Sequence, residues 1–350
     1  MLRWTTSHQI PVDFETDTNN AKRTRINSTV IDDNVWMVFT YYDRHESKFR
    51  NQLAVFNTTS LDARKVDCEI PEFGGYGVSN IASQSDQLYI LTVKAISEYK
   101  LYKLDTKTLI FSDFLNINVR LIGRLEIMDN FMYSLARSRD GKLLLITINL
   151  ADKTVSSKIL MEKREALYYQ LFSNDDTLYL FKHFRGIREV YGIHKNEKPQ
   201  FMKLGNAEKC FPAMMEWVDN SVITQEKLFP MGKYLLETID FDTKEWTSAR
   251  IEKHRVPSTD FLLKSANSLD NKIYMVFQTL FYPLRNFIRY EVRVLELRPK
   301  LTDICLLKLV DNLLRDKIQI EMDSVLEALP IPLRKKMGNM IEWRSPKRVE

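Results

Sequence analysis

The segment DDNVWMVF at residues 32–39 decides the fold, because variants of it recur along the chain. The other copies share an acidic or amide turn followed by alternating apolar and aromatic residues: SDQLYILT (85–92), MDNFMYSL (128–135), NDDTLYLF (174–181), VDNSVITQ (218–225) and LDNKIYMV (269–276). Their turn aspartates lie 43–53 residues apart. Each copy predicts a tight turn that leads into a strand with side chains alternating between two faces.

Further strand-like segments flank each copy of this phrase. The segments that follow it end in a polar turn, as in YKLYKLDTKTLIF (99–111), LLLITINLADKTV (143–155) and YLLETIDFDTKEW (234–246). Shorter ones precede it, such as VSNIAS (78–83) and FLLKSA (261–266). Three or four strands in each repeat are typical of a propeller blade. The sequence therefore predicts a mainly β protein, with a six-bladed β-propeller over residues 1–299.

The turns between the later strands resemble those of the Kelch family of propellers. Asp240-x-x-Thr243-x-x-Trp246 fits the turn between the third and fourth strands of a Kelch blade, and Asp105-x-x-Thr108-x-x-Phe111 is a close variant. The double glycine of that family is missing from all six repeats. The resemblance covers roughly residues 25–299, and it implies a degenerate, Kelch-like propeller.

The last repeat lacks an outer strand of its own. Only RYEVRVLEL (289–297) follows the sixth copy of the phrase, whereas RWTTSHQI (3–10) is similar to the fourth strand of blade five, EWTSARI (245–251). We therefore expect the N-terminal strand 3–10 to close the last blade and remove an open sheet edge.

Composition and motifs exclude several classes of function. The net charge of +5 is too weak and dispersed to predict nucleic-acid binding. The three cysteines and five histidines show no spacing typical of metal ligands, and no catalytic or cofactor-binding motif is present. Apolar runs are of strand length, and the start of the chain does not resemble a secretory signal. We expect a cytoplasmic or nuclear protein that binds neither metal nor cofactor nor membrane, and that is not an enzyme.

Loops that follow the repeated phrase combine basic and aromatic residues. They are YYDRHESKFR (41–50), KHFRGIR (182–188) and TLFYPLRNFIR (279–289). Equivalent loops of a propeller emerge on one face, and aromatic and arginine side chains often dominate binding energies. The predicted contacts to a substrate protein, possibly through an acidic peptide, are Arg44, His45, His183, Phe184, Arg185, Phe281, Tyr282 and Arg285. A solvated surface explains the same pattern equally well.

The hydrophobic period changes to a helical one at Leu301. Leu301, Ile304, Cys305 and Leu309 follow the spacing of one helix face, and further leucines widen the apolar stripe so that two faces need burial. A second helix is expected near 322–329, and Pro332 suits the start of a third. Residues 300–350 are therefore predicted to form a small three-helix unit.

This tail resembles the SOCS box, the module that binds elongin B–C in cullin–RING ubiquitin ligases. Leu301, Cys305 and Leu309 match its BC box, and Leu329-Pro330-Ile331-Pro332 matches its cullin box. The resemblance implies that Leu301, Ile304, Cys305 and Leu309 bind elongin C, and that 329–332 bind cullin 5 or cullin 2.

Together these patterns predict a substrate-recognition subunit of an elongin–cullin E3 ubiquitin ligase, without a catalytic site of its own. The alternative is a propeller that serves as an interaction scaffold with no link to a ligase, its tail merely supporting the propeller. A remote third option, a propeller hydrolase, would need histidine or carboxylate side chains that converge on the central channel.

Overall fold

The computed structural model describes residues 4–11, 24–43, 46–71, 76–162, 168–174, 177–184, 187–193, 200–206, 215–218, 221–225, 234–239, 246–251, 259–269, 272–281 and 288–296. The chain divides into two units, Met1–Leu295 and Glu296–Glu350. Of the second unit, only Glu296, at the end of a strand, is described. The predicted helical tail therefore lies outside the described residues.

The first unit is built from four-stranded antiparallel sheets, numbered here along the chain. The strands of sheet 1 are β2 (Arg25–Ile31), β3 (Asn34–Asp43), β4 (Lys48–Asn57) and β5 (Ala63–Val66). Those of sheet 2 are β6 (Val78–Gln84), β7 (Gln87–Ala95), β8 (Glu98–Asp105) and β9 (Phe111–Ile117). Those of sheet 3 are β10 (Arg120–Met128), β11 (Phe131–Arg137), β12 (Leu143–Asn149) and β13 (Val155–Met161).

The later sheets follow the same plan. The strands of sheet 4 are β14 (Tyr168–Asn174), β15 (Thr177–Phe184), β16 (Ile187–Ile193) and β17 (Gln200–Asn206). Those of sheet 5 are β18 (Met215–Val218), β19 (Ser221–Gln225), β20 (Tyr234–Ile239) and β21 (Trp246–Ile251). Those of sheet 6 are β22 (Thr259–Leu269), β23 (Lys272–Phe281), β24 (Ile288–Glu296) and β1 (Trp4–Gln9).

The first strand of each sheet is the innermost one. Strand β2 contacts β6 on one side and β22 on the other, β6 contacts β10, β10 contacts β14, and β18 contacts β22. Apolar residues fill the spaces between neighbouring sheets, from sheets 6 and 1 through to sheets 3 and 4. Sheets packed around their first strands form a β-propeller, so the predicted mainly β propeller is confirmed.

The N-terminal strand completes sheet 6. Strand β1 pairs antiparallel with β24, and Trp4 lies opposite Leu295. Trp246 begins the fourth strand of sheet 5 in a similar position, opposite Ile239 at the end of β20. The predicted closure of the last sheet by the N-terminus is therefore confirmed, and β24 has no open edge along this pairing.

The repeated turns explain the aspartates of the sequence pattern. Asp32 and Asp33 alone connect β2 to β3, and Asp32 has a φ of 48°, a left-handed conformation that aspartate tolerates. Thr58, at the end of β4, returns to this turn and donates its backbone N–H to the Asp33 carbonyl over 2.8 Å. Thr106 makes the same bond to the Asp86 carbonyl in sheet 2, over 3.0 Å.

The Kelch-like spacing has a similar local cause. The Asp105 carboxylate accepts hydrogen bonds from the backbone N–H groups of Lys107 and Thr108, at 3.0 and 2.8 Å. The bond from Thr108 is the main reason why the pKa of Asp105 is lowered. Asn57 bonds the backbone of Thr59 and Ser60 in the same way in sheet 1. An Asp or Asn at this position therefore stabilises the turn between the third and fourth strands.

Gly77, from the glycine cluster FGGYG (73–77), adopts a conformation that other residues avoid. Its φ is 69°, and a Cβ placed on it would lie 2.6 Å from Cγ2 of Thr40. Glycine at this position therefore allows the chain entering sheet 2 to pass close to sheet 1. The described part of the chain contains no helix long and apolar enough to cross a membrane.

His8 of β1 packs its ring against sheet 1. The ring centroid lies 5.5 Å from that of Phe56, and Nε2 is buried with no hydrogen-bond partner among the described residues. Burial lowers the pKa of His8 below 6.5, and the nearby charge of Asp62 only partly opposes this shift. The closing strand therefore contains a histidine that the folded protein protonates less readily than the unfolded chain does.

This environment predicts an acid-sensitive closure. As the pH falls through about 6.5, the unfolded chain protonates His8 more readily than the folded chain does, so the free energy of unfolding falls as the pH is lowered. The variant His8→Phe retains the ring contact with Phe56 but has no group to protonate at this position. Its free energy of unfolding should therefore not show the part of the fall that His8 causes. Urea unfolding of wild type and His8→Phe between about pH 7.5 and 5.5 measures how the difference in their free energies of unfolding changes with pH. A constant difference in stability between the two proteins across this range would contradict the assignment.

Candidate functional site

The loops with the predicted basic and aromatic residues all connect the second and third strands of a sheet. They join β3 to β4, β15 to β16 and β23 to β24. They are therefore equivalent in topology, as expected from their place after the repeated phrase. Of the predicted contact residues, His183 and Phe184 end β15 and Phe281 ends β23.

The other predicted contacts cannot be placed. Those outside the described residues are Arg44, His45, Arg185, Tyr282 and Arg285 in the loops, and Leu301, Ile304, Cys305, Leu309, Leu329, Pro330, Ile331 and Pro332 in the tail. For these residues, the assignments to a substrate protein, elongin C and a cullin stay predictions.

Four residues near the β3–β4 loop form what we call the Arg25 cluster: Arg25, Tyr42, Phe49 and Tyr76. The rings of Tyr42 and Phe49 meet edge to face, with centroids 5.3 Å apart. The guanidinium of Arg25 lies 5.4 Å from the centroid of Phe49 and donates a 3.0 Å hydrogen bond to the Tyr76 carbonyl. Burial lowers the pKa of Arg25, and Tyr76 remains 51% exposed. This cluster contains the residue types that most often anchor protein partners.

Glu46, in the β3–β4 loop, pairs with two basic residues at the start of β4. Nζ of Lys48 lies 3.1 Å from Oε2 of Glu46, and Arg50 bonds the other carboxylate oxygen of Glu46. The bond from Arg50 is the first cause of the lowered pKa of Glu46, followed by the bond from Lys48. Water screens such exposed pairs and they contribute little to stability, so an acidic partner could replace them at little cost.

A second candidate site is the central channel between the innermost strands. It has a volume of about 250 Å³, and its surface is mostly polar. Strands β2, β6, β10, β14 and β22 line it through Asn27, Ser28, Thr29, Val30, Asn80, Ile81, Ala82, Ser83, Arg124, Leu125, Glu126, Ile127, Phe172, Ser173, Ala266, Asn267 and Ser268.

Side-chain hydrogen bonds connect the inner strands around the first half of this channel. Between β22 and β2, the hydroxyl of Ser28 bonds that of Ser265 and accepts a hydrogen bond from the Asn267 amide. Between β2 and β6, the hydroxyls of Thr29 and Ser83 lie 2.7 Å apart. In addition, Ser83 donates to the Val30 carbonyl over 2.8 Å.

The same kind of bond continues to the next strands. Between β6 and β10, the Asn80 amide donates to the Gly123 carbonyl over 2.9 Å. Between β10 and β14, the Ser173 hydroxyl donates to Oε2 of Glu126 over 3.3 Å. We call the whole set of bonds the polar belt, and it holds the side chains around the channel in fixed orientations.

The chemistry of the lining bears on the remote possibility of a hydrolase. Among the lining residues named above, Glu126 supplies the one carboxylate, and histidine does not occur. The described residues also contain no group of three or more His, Cys, Asp or Glu side chains that could hold a metal ion. Among these lining residues, Glu126 is therefore the one side chain of the type that acts as a general acid or base in hydrolases.

Lys264 of β22 lies partly buried against the start of β2. It occupies a β-bulge, since the pairing of β22 with β23 shifts between Leu263 and Ser265. Its ammonium donates to the Thr24 carbonyl over 3.1 Å, and burial lowers the pKa of Lys264 to about 8. Burial likewise raises the pKa of Tyr290 to about 12. The bulge therefore directs a lysine into the protein rather than into water.

The channel and its polar belt were not anticipated from the sequence. A signal was present, because the innermost strands contain small polar residues where a buried strand would have apolar ones: NST (27–29) in β2, NIAS (80–83) in β6 and SANS (265–268) in β22. Recognising it required knowledge of which strand of each sheet faces the axis.

No known protein family matches the chain, and no curated protein matches it either. Among solved structures, the chain is similar to the β-propeller domain of the Trilobed protease from Pyrococcus furiosus, at 10% identity and a TM-score of 0.43, covering 76% of this chain and 82% of that one.

Two further solved structures are similar to a comparable degree. TolB from Acinetobacter baumannii matches at 10% identity and a TM-score of 0.44, over 77% of this chain and 78% of that one. A putative 6-phosphogluconolactonase from Bacteroides uniformis matches at 8% identity and a TM-score of 0.48, over 76% and 83%. At these values the matches carry no argument about function, and it is the chain's own sheet topology that identifies it as a β-propeller.

Proposed function

We propose that the chain is the substrate-recognition subunit of an elongin B–C/cullin–RING E3 ubiquitin ligase. The observation that carries the proposal is the completion of sheet 6 by β1, which pairs with β24 along its outer edge. The propeller therefore needs no strand from the residues after Glu296. Those residues contain a leucine-rich helical pattern and then Leu-Pro-Ile-Pro, both in the order found in a SOCS box.

The proposed roles divide along the chain. The propeller holds a target protein, with the Arg25 cluster and the equivalent loops as the contact surface. Leu301, Cys305 and Leu309 enter elongin C, where the small Cys305 side chain permits close approach of the helix. Residues 329–332 bind cullin 5 or cullin 2. The transfer of ubiquitin is then catalysed by partner subunits, in the cytoplasm or the nucleus, and this chain needs no active site.

The link to the ligase is tested by recovery of elongin B–C with the full chain. We expect wild type to retain elongin B–C, and the double variant Leu301→Ala/Cys305→Phe to lose it, because one change removes an apolar anchor and the other blocks close packing. Asp311→Ala, at a polar position of the same predicted helix, is the matched control and should bind as wild type does. Pro330→Ala/Pro332→Ala should keep elongin B–C and lose the cullin.

Two outcomes would overturn the proposal. One is the absence of elongin B–C from the wild-type sample, and the other is equal recovery with wild type and with the double variant. Either outcome would favour the alternative function, a propeller that serves as an interaction scaffold without a ligase. Thermal unfolding of each variant confirms that a loss of binding does not come from a loss of the folded propeller.

A further inference from the structure

The central channel has features of a binding site that the proposed ligase role does not use. Its volume of about 250 Å³ lies just below the range of small-molecule pockets, so it suits a small ligand. An apolar cavity of this size would remain dry and favour hydrocarbon, whereas this one has a mostly polar surface. Its lining therefore favours an occupant that forms many hydrogen bonds.

The lining has little net charge. Arg124 and Glu126 lie two residues apart on β10 and have opposite signs, and the other polar side chains are the neutral amides and hydroxyls of Asn, Ser and Thr. A strongly charged ligand would find no excess of opposite charge here. Neutral amides and hydroxyls both donate and accept hydrogen bonds, as do the hydroxyl groups of a sugar or a cyclitol.

The polar belt fixes these groups before any ligand arrives. Thr29 and Ser83 hold each other at 2.7 Å, and Ser173 is held at 3.3 Å by Glu126. After its bonds in the belt are made, each of these hydroxyl oxygens keeps a lone pair that can accept a hydrogen bond from a ligand. Groups that are already oriented lose little conformational entropy on binding, which increases affinity.

We propose that the channel lined by β2, β6, β10, β14 and β22 binds a small, uncharged, polyhydroxylated molecule of monosaccharide or cyclitol size. Thr29, Ser83 and Ser173 supply hydrogen bonds from three different strands, so the ligand lies on the axis of the propeller. This site is separate from the loop face, and it does not depend on the proposed ligase function.

The test uses the full chain and a panel of D-glucose, D-galactose, D-mannose and myo-inositol, with glucose 6-phosphate as the charged comparison. Saturation-transfer NMR and calorimetry measure binding. We expect at least one neutral member to bind with a Kd of about 1 mM or below. Thr29→Val and Ser173→Ala each remove one hydroxyl with little change of shape, and each should weaken binding about tenfold.

Ser156→Ala is the matched control, because Ser156 lies exposed on the outer strand β13. It should leave binding unchanged. Ser268→Ala is a third substitution in the channel. It takes the place of Thr29→Val or Ser173→Ala if thermal unfolding shows that one of those two variants does not fold. The proposal is overturned if no neutral member of the panel binds at concentrations up to about 20 mM. The proposal would also be overturned if the channel variants bound the sugars as tightly as wild type does, or if glucose 6-phosphate were the only member of the panel to bind.

Discussion

Ile10→Asp is expected to destabilise the propeller by more than about 4 kcal/mol, enough to unfold much of the protein at ordinary temperature. Ile10 directly follows β1 and is only 1% exposed, within the core between sheets 6 and 1. Its backbone N–H donates to the Tyr290 carbonyl over 2.8 Å. A carboxylate placed there would be buried without a partner charge, which is among the most costly of substitutions.

The neighbouring residue provides the control for this experiment. Gln9 is exposed and lies opposite Glu291 in β24, so Gln9→Asp introduces the same charge into the same segment and should lower the free energy of unfolding by about 1 kcal/mol or less, far below the loss for Ile10→Asp. Urea unfolding and size-exclusion chromatography report the two effects. If the two variants were equally stable, the N-terminal segment would not close the propeller in solution.

Tyr290→Ala is expected to lower the free energy of unfolding by about 3–5 kcal/mol. The side chain of Tyr290 is 1% exposed, and its ring meets that of Phe39 edge to face, with centroids 5.1 Å apart. Because Phe39 belongs to sheet 1 and Tyr290 to sheet 6, removal of the ring leaves a cavity where the two ends of the propeller join.

Tyr290→Phe separates the ring from its hydroxyl. The hydroxyl accepts a long hydrogen bond of 3.4 Å from the Gln278 amide and also bonds the side chain of Thr24, so its loss should cost about 1–2 kcal/mol. Urea unfolding of wild type and both variants measures the difference. A similar cost for the two substitutions would show that the aromatic packing between sheets 1 and 6 contributes little.

Much of the fold could be predicted because its causes are local. The phrase at 32–39 and its copies contain both the turn and the alternation of the strand that follows. The Asp105 carboxylate bonds N–H groups two and three residues away, so its role is visible in a short window. Even the closing strand was recognisable, because Trp4 and Trp246 begin similar segments.

The candidate sites depend on contacts between distant residues and were less predictable. The arginine that stacks on Phe49 is Arg25 of β2, and it bonds the carbonyl of Tyr76, 51 positions away. The loop residues chosen from sequence did not include Arg25, because it lies at the start of a strand. Lys264 was likewise hidden, since a β-bulge leaves no clear trace in the order of residues.

Local patterns in the sequence are enough to predict that the chain forms short antiparallel strands in repeated sets and that the N-terminal strand joins the last sheet. Those features follow from side-chain alternation and from turn chemistry, which act over a few residues. Only the tertiary structure decided which strand of each set lies innermost, and thereby which polar residues face the channel. Ser28 and Ser265 are 237 positions apart and bond each other because the propeller closes on itself. No local pattern specifies such a contact, since it exists only once all the intervening sheets have packed.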